Sequence, residues 1–392
     1  GLSTLLLTIY AARVLGPVEF GKFAFDLAAV SLFVIFSDFG LTDIITRDFA
    51  KDKEEEKEFS AILSLKIILS IGTLLLIIAS SFLIVSDQPI RIIMWLLGLY
   101  LILNSFSDVF FAFFRARMLM EYEAWIKIIQ AILATAAGLY IIFNFPSAVN
   151  FSYGYLITSF IILVFVLFFF SFRIQSLRVI WNRRSWKKFL GKSWPLGFAS
   201  IFAMVYLYID SVMLGFWGQI TEVGWYNAAY RITYVPLVVM TLISMAFYPT
   251  LSKFFKESKE KLQKFWDYQM EIMIILAIPL MVVGILLASK IVIFFYGLSY
   301  MPAIPVFRLL VLVAGINFLY VSYNMILVIS HQQKKHLWIC LITALINIVL
   351  NLFLIPRYSF YGAGLATLFS YIILFALEVE CSRRFTSITV FN

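Results

Sequence analysis

Long apolar runs separated by short charged segments dominate the 392-residue chain, in place of the finer polar–apolar alternation of a soluble protein. A helix that crosses a bilayer needs about 20 consecutive, mostly apolar residues. Runs of that kind fall at 1–15, 22–42, 60–85, 92–114, 124–144 and 151–172, the first of them short. A second series follows at 194–217, 225–248, 269–288, 304–329, 337–355 and 361–381. The pattern predicts an all-α integral membrane protein of about twelve transmembrane helices. The chain opens at Gly1 already inside an apolar run, so a cytoplasmic N-terminal segment is expected to precede it.

Composition agrees with that reading. Hydrophobic residues make up 62% of the chain and charged residues 14%, against roughly 25% charged in a soluble domain. A net charge of +9 would suit a nucleic-acid binder, but the basic residues sit between apolar runs and form no binding face, so no nucleic-acid partner is expected. Cys340, Cys381, His331 and His336 have no metal-ligand spacing, and no metal or other cofactor is expected. No Gly-rich phosphate loop is present, so any transport is expected to be facilitated or driven by an ion gradient, of H+ or Na+, and not by ATP hydrolysed on this chain.

Charge also sets the orientation. Of the 31 Lys and Arg residues, 23 lie in the segments on one side of the predicted spans, from Arg47 to Lys57, Arg115 to Lys127, Arg173 to Lys192, Lys253 to Lys264, at Lys334 and Lys335, and at Arg383 and Arg384. The positive-inside rule makes that side cytoplasmic and puts both termini there, in a multi-pass cell inner membrane protein. The charged stretch Asp43 to Glu58 reads as a solvated cytoplasmic helix. The segment Arg173 to Lys192, basic and punctuated by Trp181 and Trp186, reads as an amphipathic helix on anionic inner-leaflet lipids.

The chain repeats itself. Leu15-Gly16-Pro17-Val18-Glu19-Phe20-Gly21 is echoed by Leu214-Gly215 through Glu222-Val223-Gly224, and Tyr153-Gly154 after Pro146 by Tyr361-Gly362 after Pro356. Six crossings return the chain to its starting side, so the halves are expected to be parallel repeats. The expected domains are a six-helix bundle over 1–172, a basic linker over 173–193 and a second six-helix bundle over 194–392.

The run Ala11-Ala12-Arg13-Val14-Leu15-Gly16-Pro17-Val18-Glu19-Phe20-Gly21-Lys22-Phe23 resembles the opening of the polysaccharide-biosynthesis flippases, the O-antigen and exopolysaccharide branch of the multidrug/oligosaccharidyl-lipid/polysaccharide exporter superfamily. Tyr208-Ile209-Asp210 through Gly224-Trp225-Tyr226 resembles the start of that family's second half. The resemblance implies two six-helix bundles around a central cavity. It implies alternating access that moves undecaprenyl-diphosphate-linked oligosaccharide repeat units between leaflets, for O-antigen or other surface polysaccharide. Polysaccharide polymerase machinery is then an expected partner.

Ionisable residues inside spans are functional candidates because they are expensive in lipid. Those singled out are Asp26, Lys66, Asp108, Asp210, Arg231 and Arg308. Asp210 and Arg231 each lie roughly 10 Å from the outer surface at 1.5 Å per residue, with Asp26 and Arg308 at a similar level and Lys66 and Asp108 nearer the cytoplasm. Asp210 and Arg231 read either as a structural ion pair or as the lining of a cavity that meets a phosphate or coupling cation. Asn227, Arg231 and Tyr234 share one face of their helix, and Tyr206 and Asp210 share another. Amides, hydroxyls and rings suit sugars, so these residues are the cavity candidates. Asn347 and Asn351 read as interhelical hydrogen-bond partners. Arg115 and Arg117 are candidates for docking a diphosphate headgroup, though the positive-inside rule accounts for them equally well.

Two other functions fit less well. A multidrug exporter of the same superfamily calls for acids in the cavity, whereas Arg231 and Arg308 stand beside the acids here. A membrane-embedded polymerase or ligase calls for a large catalytic outer loop, and the longest outer segment, Ser289 to Ala303, has Lys290 as its single charge.

Overall fold

A computed structural model describes residues 2–51, 58–174, 176 and 178–386. Among them, twelve α-helices and no strand are found. Ten helical stretches are long and apolar enough to cross a membrane. The first and last are each bent into two.

Helix α1 (Leu2–Asp38) turns at Gly16, whose φ of 74° and ψ of 171° are open to glycine and costly for a residue with a side chain. Pro17 then starts the second arm, its fixed φ suiting a first helical turn. Helix α12 (Gln333–Thr386) turns at Ser359 (φ 54°, ψ −140°). At 54 residues it would extend about 80 Å if straight, more than twice the hydrocarbon thickness of about 30 Å. The bend makes it two crossings, and with the bend in α1 the ten stretches account for the twelve expected crossings.

The chain divides into two compact units, Gly1–Val212 and Met213–Asn392. In the first, α1, α3 (Phe59–Ile84), α4 (Gln88–Ala116), α5 (Met120–Asn144) and α6 (Ala148–Arg173) pack around α4. One end is filled by rings: Phe59 meets Phe113 at 5.0 Å between centroids, and Phe110 meets Phe170 at 5.0 Å. Helix α2 (Leu41–Lys51) lies against this cluster with Leu41, Ile44 and Ile45 fully buried. The charged stretch from Asp43 is therefore not fully solvated. Its polar residues follow a helical period that leaves an apolar stripe, which the Phe cluster covers. Residues 52–57 of that stretch lie outside the described residues.

Helix α7 (Arg183–Phe216) corrects the expected linker. The basic segment is not a separate surface helix. Residues 178–182 are non-helical, and Asn182 Oδ1 then accepts the amides of Arg184 (3.0 Å) and Ser185 (3.4 Å), capping a helix that runs on into the next span. The basic turns are held on the first unit. Trp186 Nε1 donates to Ser64 Oγ (2.9 Å) and Ala61 O (3.0 Å), Lys192 Nζ donates to Asp48 Oδ2 (2.7 Å), and Gly197 faces the Phe39 ring. These contacts draw the division between units along the chain to Val212.

In the second unit, α11 (Ile304–Ile329) is the hub, packing on α8 (Ile220–Glu257), α9 (Lys259–Leu286) and α12. Trp266, fully buried, donates Nε1 to Ser322 O at 3.2 Å. The outer segment forms α10 (Ala288–Tyr296) and a 3-10 turn over Leu298–Ala303, whose Tyr296 hydroxyl donates to Ala228 O at 2.9 Å. Asn351 Nδ2 donates to Asn347 Oδ1 at 3.1 Å. That bond runs along one helix arm, because the two residues sit one turn apart.

The sequence repeat has a structural counterpart in each unit. Gly218 (φ 75°) is the left-handed corner between α7 and α8, as Gly16 is within α1. Glu19, just past the first corner, accepts the Ala148 amide (2.9 Å) at the start of α6. Gln219, just past the second, accepts the Ser359 hydroxyl (2.6 Å) at the bend of α12. In both units a side chain at the second span's start staples the sixth.

Candidate functional site

The first unit contains a cavity of about 380 Å³, within the 300–1,000 Å³ range of small-ligand sites. Ser31, Asp38, Thr42, Asn104, Ser105, Asp108, Ser200 and Tyr208 supply its polar wall, with Val34, Ile35, Leu101 and Met204 between them. The second arm of α1 and the α1–α2 corner form one side. Helix α4 places Asn104, Ser105 and Asp108 on one stripe, and α7 brings Ser200, Met204 and Tyr208 at helical spacing.

The corner is built tightly. Phe39 and Gly40 both adopt positive φ (46° and 80°). A Cβ on Gly40 would lie 2.9 Å from Ser193 O and 3.0 Å from Gly197 N, backbone atoms of α7 that cannot give way. The close approach aims Asp38 into the unit.

Asp38 is the centre of a buried network. Lys66, with no solvent exposure, donates from Nζ to Asp38 Oδ1 (2.8 Å) and to Ser105 Oγ (2.7 Å). Ser37 Oγ donates to Ser105 Oγ at 3.0 Å. Thr42 donates its hydroxyl to Asp38 Oδ1 (2.6 Å) and its amide to Oδ2 (3.3 Å). Gln130 Nε2 on α5 donates to Asn104 Oδ1 at 2.7 Å, which fixes that amide's orientation toward the cavity. The lysine charge is thus consumed within the wall, and hydroxyls, amides and Asp108 are left to meet a ligand.

The sequence-predicted residues divide between the units. In the first, Asp26 is fully enclosed on α1, lines none of this cavity, and neither carboxyl oxygen makes a hydrogen bond among the described residues. Asp210 is buried and Tyr206 half-buried on α7. Arg115 lies 3.5 Å from Glu123, which also pairs with Lys127, and Arg117 is exposed with its guanidinium over the Phe113 ring. In the second unit, Arg231 is half-buried near Tyr296, and Asn227 Nδ2 donates to Val223 O in its own helix. Tyr234 and Arg308 are exposed. Sequence reasoning had singled out Lys66 and Asp108 as ionisable residues inside spans but missed Asp38, Thr42, Asn104 and Ser105. An acid four residues before a threonine at a helix junction was the available signal. Among the described residues no cluster of His, Cys, Asp and Glu could hold a metal ion.

Comparison with known proteins places this geometry. A family model described as polysaccharide biosynthesis protein matches residues 2–255. The chain is 24% identical over 376 residues to the Haloferax volcanii protein named "Probable flippase AglR", covering 93% of this chain and 76% of that one. Among solved structures it resembles a multidrug resistance MATE family transporter of the MOP superfamily in an inward-facing conformation (TM-score 0.78, 14% identity, 98% of this chain and 94% of that one). It also resembles the lipid II flippase MurJ in an inward closed conformation (TM-score 0.76, 15% identity, 97% and 86%). At these identities the structural likeness establishes a shared fold, that of multi-pass membrane transporters.

Proposed function

Because the chain belongs to the polysaccharide biosynthesis protein family, we propose that it is a flippase for lipid-linked glycans, working by alternating access. The finer reading is an undecaprenyl-diphosphate-linked oligosaccharide repeat unit, moved across the cell inner membrane with both termini cytoplasmic. Its product feeds O-antigen or other surface polysaccharide.

The observation that carries this reading is the polar wall of the first unit's cavity, made of hydroxyls and amides with Asp108 as its one charge outside the Asp38–Lys66 pair. Asn104, Ser105, Ser31, Thr42, Ser200 and Tyr208 offer donors and acceptors without a free charge, the chemistry that sugar hydroxyls match. Lys66 and Asp38 neutralise each other. In this proposal the sugar occupies the cavity and the diphosphate meets Arg115 and Arg117 on entry; Arg231 and Arg308 are separate candidates for meeting a diphosphate. The polyprenyl tail stays in lipid. Asp108 is the observation that favours the competing reading, export of a cationic drug.

The test is complementation of a flippase-null strain, scored for surface polysaccharide and for protein abundance. Asn104→Leu removes one fixed amide, and losing a hydrogen bond worth roughly 1–1.5 kcal/mol lowers export about tenfold. Full export by Asn104→Leu and by Tyr208→Ala at normal abundance would overturn the assignment of the sugar to this cavity. Loss of drug resistance with Asp108→Asn, and unchanged polysaccharide, would favour the competing reading.

A further inference from the structure

The second unit buries an acid that the transport reading leaves unused. Glu378, on the second arm of α12, has no solvent exposure. Its Oε1 lies 2.6 Å from His336 Nδ1 on the first arm. Its Oε2 is buried and makes no hydrogen bond among the described residues. A buried ion pair retained purely as structure is expected to satisfy its remaining lone pairs. This one does not.

The imidazole is contested as well. His336 Nδ1 also lies 2.8 Å from Asn324 Nδ2 on α11, and Nε2 lies 3.5 Å from Cys340 Sγ. With a proton between Nδ1 and Oε1, the bond to Glu378 forms. Once that proton leaves, two acceptors face each other at that distance, and the free lone pair of Nδ1 suits the Asn324 amide instead. The same four side chains thus have two arrangements that differ by one proton, the bistable element a switch requires. Tyr320 on α11 and Cys381 on the second arm are also in electrostatic reach of Glu378; Cys340 and Tyr371 act on Tyr320, and Lys335, Glu380 and Arg384 act on Cys381.

We propose that His336 and Glu378 form a proton-binding site through which substrate movement is coupled to proton movement. The site lies at the end of the unit that carries Lys334, Lys335, Arg383 and Arg384, the cytoplasmic end in the orientation inferred from basic residues. One proton is held between Nδ1 and Oε1 and is given up to the cytoplasm. Its loss frees the contact that ties the two arms of α12 to each other and leaves the first arm held to α11 through Asn324. The coupling rests on the flippase reading, whereas the proton site itself does not.

The test uses the full chain in liposomes with a fluorescent polyprenyl-diphosphate disaccharide as probe, read as its distribution between leaflets at steady state. A gradient of about one pH unit supports a distribution ratio approaching about tenfold per coupled proton. Wild type is expected to build such an asymmetry, and Glu378→Gln and His336→Gln to give a ratio near one whatever their rates. Asymmetry retained by both variants overturns the dyad's role. A wild type that equilibrates the probe without asymmetry overturns the coupling and leaves the flippase reading intact. A wild type that moves no probe counts against the flippase reading, and infrared titration of the purified protein then decides the site. An imidazole or carboxyl band that titrates in wild type and is lost or shifted in both His336→Gln and Glu378→Gln supports it, and no titrating band of either group in wild type overturns it.

Discussion

Exchanging Asp38 for Asn removes the one carboxylate that Lys66 meets. The ammonium keeps oxygen acceptors, Ser105 and the amide carbonyl, but loses its opposite charge in a place with no solvent exposure. Removing one member of a buried pair costs about 3–5 kcal/mol, because the remaining charge stays desolvated. The reciprocal exchange, Lys66→Met, is milder. Asp38 retains both bonds from Thr42, and a quarter of its side chain is exposed (25%), so the cavity hydrates it. Its loss is about 1–3 kcal/mol. For a unit of this size each kcal/mol moves the melting temperature by about 2–4 °C. Thermal unfolding in detergent, followed by tryptophan fluorescence, should therefore show Asp38→Asn falling by about 6–20 °C and Lys66→Met by roughly half as much. The double variant has no charge left to strand and should recover most of the loss. Two outcomes would refute the reasoning: Lys66→Met proving the more damaging change, or a double variant no more stable than the worse single one.

Arg231→Lys, at normal abundance, should lower polysaccharide export in the complementation assay, since an ammonium cannot offer the planar fork suited to a diphosphate; full export by Arg231→Ala would exclude a substrate contact. A Cβ on Gly362 would collide with the backbone carbonyl of Leu354 across the bend of α12. Gly362→Ala should therefore destabilise the protein by about 1–3 kcal/mol, seen as a lower melting temperature, and an unchanged midpoint would contradict the close approach. Cysteines introduced at the exposed positions Lys187 and Lys259 should react with an impermeant reagent in inverted vesicles, and labelling of either in intact cells would reverse the orientation.

The number of crossings was legible because it depends on hydropathy summed over about 20 residues, a signal that survives any choice of partner. The repeat located the two corners unequally: the first falls at Gly16 in its Leu-Gly pair, whereas the second falls at Gly218, three residues past Leu214-Gly215. The polar networks were not legible. Lys66 meets an acid 28 residues earlier and a serine 39 residues later, and Glu378 meets a histidine 42 residues before it. Nothing along the chain marks those separations, which are set by how helices pack. Asp38 and Glu378 fall inside the spans at 22–42 and 361–381, near their ends, and neither was singled out as a buried charge. Helix α2 was misread for a different reason: its charges are conspicuous in the sequence, whereas its apolar stripe shows only when the residues are placed on a helix.

The pairing of Asp38 with Lys66 also sets an order of events during synthesis. Asp38 closes α1, and its partner lies on α3, so the acid leaves the ribosome before the base that neutralises it exists. Ser105 follows later still, on α4. An unpaired acid within a span raises the free energy of insertion by about 2.5–3.5 kcal/mol at the helix centre and by less toward an end. The first helix is therefore poorly suited to partition into lipid alone and gains from waiting beside the translocation channel until α3 arrives. Helix α6 is among the most apolar of the chain and has no such debt to settle. Biogenesis of the first unit is accordingly expected to proceed by group release of α1 to α4, with α6 able to enter singly.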